Sequence, residues 1–196
     1  MGPPRERRAT YADLVALPEH VVGEIIAGEL VVSPRPAPRH AQASAILTGD
    51  LTQPFGRGRG GPGGWWILDE PELHLGGDVL VPDLAGWRRE RLPALPEAAY
   101  FDLAPDWVCE VLSPGTARLD RSRKLPIYAR EKVAHVWLGD PIARTLEIYR
   151  LEARFEGASW LLLATHGGDE HVRAEPFAAV ELEIAGWWTG PDPAAR

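Results

Sequence analysis

Cysteine is nearly absent from this chain of 196 residues, with Cys109 the single example. No intrachain disulfide can form, so a reducing, cytoplasmic setting is expected. Long apolar runs are missing too. None approaches the roughly 20 residues that cross a bilayer, and the charged start MGPPRERRAT leads into no apolar segment of the kind a secretory leader carries. A soluble protein without a membrane partner is expected. Positive charge is also in short supply: 21 Lys and Arg stand against 28 Asp and Glu, for a net charge of −7. That balance excludes coating of nucleic acid by bulk attraction and makes any such contact local. No repeat period or low-complexity tract occurs, which excludes solenoids and arrays.

What is present is globular in composition, 45% hydrophobic and 25% charged. The length suits one core, and a single domain over residues 1–196 is expected, with tails at 1–9 and 186–196. Thr10 and Asp13 resemble a capping box opening a short helix that runs to about Pro18. VVGEIIAGELVVS alternates about Ala27-Gly28 and predicts a hairpin over roughly 21–33. Residues 38–51 predict a helix, and FGRGRGGPGG reads as a flexible linker rather than a phosphate cradle. WWILDEPELHL and DVLVPDLAGW predict two strands joined at Gly76-Gly77, with Pro82 at an edge or bulge. DWVCEVL predicts a central buried strand. TARLDRSRKLPIYAREKV predicts a helix that Pro126 kinks or delays, and AHVWLGD, TLEIYRL and SWLLLATH predict three further strands. Strands followed by a helix crossing to another strand make an α/β fold, a mixed sheet flanked by helices.

Two carboxylates lie in apolar surroundings. Glu110 sits within Trp107 to Leu112, where an unpaired charge costs several kcal/mol. Strand alternation puts Val108, Glu110 and Leu112 on one face and turns Cys109 to the other, as plain core. Asp83 follows Val79, Leu80 and Val81 and precedes Leu84. If the two strands pair, both carboxylates meet, and a hard divalent cation is the common way to hold two such groups together. The alternative is a pair of hydrogen-bonded acids. Lys124, on the following helix, can reach the end of the Glu110 strand. Two carboxylates, a metal and an ammonium suit phosphodiester hydrolysis. Arg118, Arg121 and Arg123 occupy the same segment and can meet flanking phosphates or face solvent.

Other polar residues have plainer readings. His40 and Gln42 suit a helix start and Ser113 a turn; Glu70 and Glu72 can face the same cavity or solvent, a charged edge strand being the simpler reading; Asp120 caps the helix or pairs with Arg123 or Lys124 within it. Trp65-Trp66 and Trp187-Trp188 read as core or dimer contact ahead of base stacking.

The order EIIAGEL, VPDL, WVCEVLSPGTARLDRSRK with Tyr128, then VWLGDP, resembles the Uma-two family of endonucleases, a branch of the PD-(D/E)XK, restriction-endonuclease-like superfamily. The match runs from about Tyr11 to Leu151. The resemblance implies Asp83 and Glu110 as metal-binding acids, Lys124 as the catalytic lysine, Glu24 as a further catalytic acid and His40 as a site neighbour; Arg121 is a second candidate neighbour from its place in the segment around Lys124. It implies magnesium or manganese as cofactor, DNA as partner and, by analogy of fold, a homodimer. The superfamily pattern puts the lysine two residues after the glutamate, where this chain has Leu112. The expected function is a metal-dependent endonuclease. Two rivals are a binding module that keeps the fold without turnover and a small-molecule metallohydrolase.

Overall fold

The computed structural model describes residues 7–155 and 157–188. The Asp13 carboxylate accepts the backbone N–H and the hydroxyl of Thr10, at 2.8 and 2.7 Å, and so starts helix α1 (Tyr11–Val15). The expected hairpin follows as β1 (Val21–Ile26) and β2 (Glu29–Pro34). Its two-residue turn has positive φ at both positions, 56° at Ala27 and 82° at Gly28. Such turns match strand twist, and Asp78 holds this one by accepting the Ala27 N–H. Helix α2 (Pro38–Leu51) carries Pro38 in its first turn, where a missing N–H costs nothing. It widens into a π turn over Thr52–Gly56, around Pro54.

The two long strands expected between residues 65 and 87 are each broken. β3 (Trp65–Asp69) and β4 (Leu73–Leu75) replace the first, and β5 (Asp78–Leu80) and β6 (Leu84–Arg88) replace the second. The physical reason is Pro71 opposite Pro82: neither has an N–H for the ladder, so the hairpin leaves one sheet and enters another. β4 and β5 join a four-stranded sheet in the order β2-β1-β5-β4. β3 and β6 join β7 (Trp107–Val111), β8 (His135–Asp140), β9 (Thr145–Arg154) and β10 (Gly157–Gly167) in a six-stranded sheet ordered β10-β9-β8-β7-β6-β3. Only β7 and β8 run parallel there, so the sheet is mixed. β11 (His171–Val172) and β12 (Leu182–Glu183) pair separately.

A parallel pair needs a crossover, and here it is helical. α3 (Ala117–Leu119) passes through a π turn (Asp120–Lys124) into α4 (Leu125–Arg130). The disturbance expected from Pro126 takes this form. Pro126 cannot donate to the carbonyl four residues back, and a π turn absorbs the gap without ending the helix.

β7 is buried on both faces. Trp107 and Cys109 pack with Leu47, Phe55, Trp137 and Phe177 on the α2 side, and Val108 packs with Leu112, Ile127, Tyr128 and Val136 on the α4 side. Cys109 is therefore core, as expected. Trp187 and Trp188 are buried in the first cluster, so the core enters the stretch read as a C-terminal tail. Among the described residues, no helix is long and apolar enough to cross a membrane.

Candidate active site

Asp83 is not inside a strand, contrary to expectation. It occupies the break between β5 and β6 that Pro82 imposes. The last ladder pair of β6 and β7 is Leu84 with Cys109, so one step further on Asp83 stands opposite Glu110. Ala85 and Val108, two steps back along each strand, are also partners and lie in the α4-side cluster. Asp83 and Glu110 therefore share that face. Asp83 is fixed by the Val111 N–H, which donates to Oδ2 at 2.7 Å, and by His40 Nε2, 3.2 Å from Oδ1.

Glu110 is only 2% exposed, and its compensation comes from the protein itself. Lys124 Nζ lies 3.2 Å from Oε1, and the Tyr128 hydroxyl donates to that same oxygen at 2.5 Å. The ammonium of Lys124 offsets this charge directly, and the phenol hydroxyl adds a second donor. Lys124 serves more than Glu110. Its Nζ is also 3.0 Å from Glu24 Oε1 and 3.5 Å from Asp120 Oδ1, and all these side chains are buried. Glu24 is tied further by the Val81 N–H, which donates to Oε1 at 2.9 Å.

The charges do not balance. Burial drives the Glu110 carboxyl well above the usual carboxylate range; Lys124 pulls it down, while Asp120, Asp83 and Glu24 push it up. Asp120 is raised for the same reason, first by burial and then by Asp83 and Glu24, against Lys124 and a hydrogen bond from Thr116. Burial disfavours the charged lysine, yet the carboxylates around it, Glu110 first, outweigh that and hold Lys124 well above its ordinary value. It stays an ammonium and cannot serve as a proton acceptor.

The structure thus brings Glu24, Asp83, Glu110, Lys124 and His40 together on one cavity of about 450 Å³. Arg121 is not among its lining residues. Its guanidinium makes two hydrogen bonds to Glu147, at 2.7 and 2.8 Å, and the expectation of a site neighbour fails because β9 offers that nearer carboxylate. Arg123 is engaged with Glu29 and with the Ile26 carbonyl. Glu70, read as an edge-strand charge, lines the cavity because the Pro71 break turns the chain there. Glu72 meets Tyr11 and His74 instead. Asp120 and Arg35 were not singled out as site residues, although Asp120 four residues before Lys124 on a helix is a readable signal. Leu112, at the usual lysine position, is 3% exposed and packs in the cluster that holds Ile127 and Tyr128.

Among the described residues, no three His, Cys, Asp or Glu side chains form a ready-made metal cage. Magnesium does not require one. It commonly keeps several waters and takes one or two carboxylates together with substrate phosphate. The donor set fits such an ion, because five hard carboxylates (Glu24, Glu70, Asp83, Glu110 and Asp120) line the cavity with Lys124, Arg35 and His40.

A profile of the Uma-two family, described as "Putative restriction endonuclease", matches residues 10–185, and the chain belongs to that family. Its fold is that of a crystal structure titled a "putative nuclease belonging to DUF820" from Anabaena variabilis. The two superpose with a TM-score of 0.71 at 22% sequence identity, over 92% of this chain and 98% of the other. No curated protein matches this chain.

Proposed function

We propose that the protein is a metal-dependent endonuclease that hydrolyses phosphodiester bonds of DNA in the cytoplasm. Asp83 and Glu110 would hold magnesium or manganese, with Glu24 and Lys124 beside them. The observation that carries the reading is the pair of facing carboxylates, Glu110 on β7 and Asp83 in the break just before β6, with the buried Lys124 ammonium 3.2 Å from Glu110. When bound, the metal would polarise a phosphoryl oxygen and acidify an attacking water.

The chain's own groups do the rest. Lys124, locked as an ammonium, supplies fixed positive charge toward the extra negative charge that builds on the phosphoryl oxygens. Glu24 and Asp120 hold that ammonium in place. The Val111 N–H fixes Asp83, so little reorganisation is needed when substrate arrives. Water attacks phosphorus and gives up a proton to solvent, the bond to one bridging ester oxygen breaks, and that oxygen takes up a proton from solvent as it leaves as a hydroxyl. Arg35 lines the cavity, donates to the Glu19 carbonyl at 2.9 Å and lies 3.8 Å from Glu70; with its side chain 58% exposed, it would meet a flanking phosphate by giving up the long contact with Glu70. A homodimer would allow both strands to be cut.

One observation favours a small-molecule metallohydrolase instead: the cavity carries five carboxylates against Lys124, Arg35 and His40. Supercoiled plasmid separates the readings. The nuclease nicks it with magnesium or manganese and stops with chelator, and Asp83→Ala or Glu110→Ala abolishes nicking while the circular dichroism spectrum persists. A wild type inert on nucleic acid, yet active on a small phosphodiester, rejects the DNA reading.

A further inference from the structure

Tyr128 is the largest fully buried polar side chain at the site, and its cost is informative. Its ring packs with Val108, Leu112, Ile127 and Val136 at 0% exposure. Phenylalanine would fill that space without bringing a hydroxyl out of water. The hydroxyl donates to Glu110 Oε1 at 2.5 Å. Lys124 approaches the same Oε1 from one turn earlier on the helix.

We propose that Tyr128 is a positioning residue: with Lys124 it occupies Oε1 of Glu110, fixes the carboxylate's rotation, and leaves Oε2 as the oxygen open to a divalent cation. This rests on the nuclease reading given above. The physical logic is that of a ligand oriented by its own hydrogen-bond partner. A carboxylate held by one donor rotates about its last bond; one held by two donors on a single oxygen presents the other in a fixed direction. Loss of such an outer partner typically weakens metal affinity about 10- to 100-fold.

The test uses the full chain and two readouts, manganese titration by calorimetry without DNA and plasmid nicking. Tyr128→Phe keeps the ring, and Tyr128→Met gives the same comparison if the phenyl ring packs badly. Tyr149→Phe removes a hydroxyl that donates to Glu147, away from the site, as the control. We expect Tyr128→Phe to bind manganese about 10- to 100-fold more weakly, with part of the nicking rate restored by excess manganese. Tyr149→Phe should match wild type. In a Glu110→Gln background the Tyr128 change should weaken manganese binding no further. The proposal is overturned if Tyr128→Phe lowers the melting temperature but leaves manganese affinity and nicking as in wild type. A wild type that neither binds manganese nor cuts DNA overturns the nuclease reading itself, and this proposal with it.

Discussion

Replacing Lys124 by methionine removes the only ammonium from a buried group of three carboxylates. Its Nζ lies 3.0 Å from Glu24, 3.2 Å from Glu110 and 3.5 Å from Asp120. At an effective dielectric of about 20, each of the nearer contacts has a gross attraction of about 5 kcal/mol. Desolvation of the lysine offsets much of the sum, and the mutant can relieve repulsion by taking up protons. The expected net loss is that of a broken buried pair, about 3–5 kcal/mol. The pH dependence follows from the same groups. Glu110 and Asp120 already sit above their ordinary values of 4.5 and 3.8, and without Lys124 they rise further. A carboxyl raised on folding contributes stability that is fully present below its unfolded value and is lost as pH climbs through its folded value. The deficit of Lys124→Met relative to wild type must therefore be small near pH 4 and grow toward pH 8. Urea unfolding of both proteins at several pH values measures it. A deficit that is constant with pH, or below about 1 kcal/mol at pH 8, the size of an exposed pair, would refute the reasoning.

Two further substitutions bear on the same site. Glu110→Gln removes one charge from an over-negative cluster and keeps the shape. It should cost nicking at least 100-fold, yet gain about 1 kcal/mol of stability at pH 8, as buried ion clusters often do on neutralisation. The gain should vanish near pH 4, where wild-type Glu110 is itself protonated; chemical denaturation at the two pH values checks it. Arg121→Ala breaks a partly exposed pair with Glu147 of β9, neither residue lining the cavity. Stability should fall by less than about 1 kcal/mol and nicking should stay within about threefold of wild type, as read by the plasmid assay.

Much of this was legible in the sequence because the local signals were chemically unambiguous. Thr10 with Asp13, the Ala27-Gly28 turn, and the apolar run around Glu110 each have one physical solution, and each appears as expected. The mixed character of the large sheet followed from a helix lying between two strand patterns, whereas its strand order and the separate four-stranded sheet did not. What was not legible depended on long-range company. Nothing local says that Pro71 and Pro82 lie opposite each other, so the transfer of a hairpin between sheets was missed. The same break decides where Asp83 and Glu70 go. The reach of Lys124 to the Glu110 strand is legible from the helix that follows it, but Tyr128 as a second donor is not, 18 residues away beyond a π turn that no local signal marks. Arg121 pointed to phosphate by its place in the segment, but a carboxylate on β9 claims it.

The account stands on Glu110 as a working carboxylate. Because Glu110→Gln is expected to be at least as stable as wild type, lost activity in this variant cannot be blamed on unfolding. Relaxation of supercoiled plasmid by wild type and Glu110→Gln, run side by side with magnesium, manganese and chelator, is the most direct test. The account predicts metal-dependent nicking by wild type and none by the folded variant. Equal nicking by the two proteins, or no nicking by wild type with either metal, would contradict it.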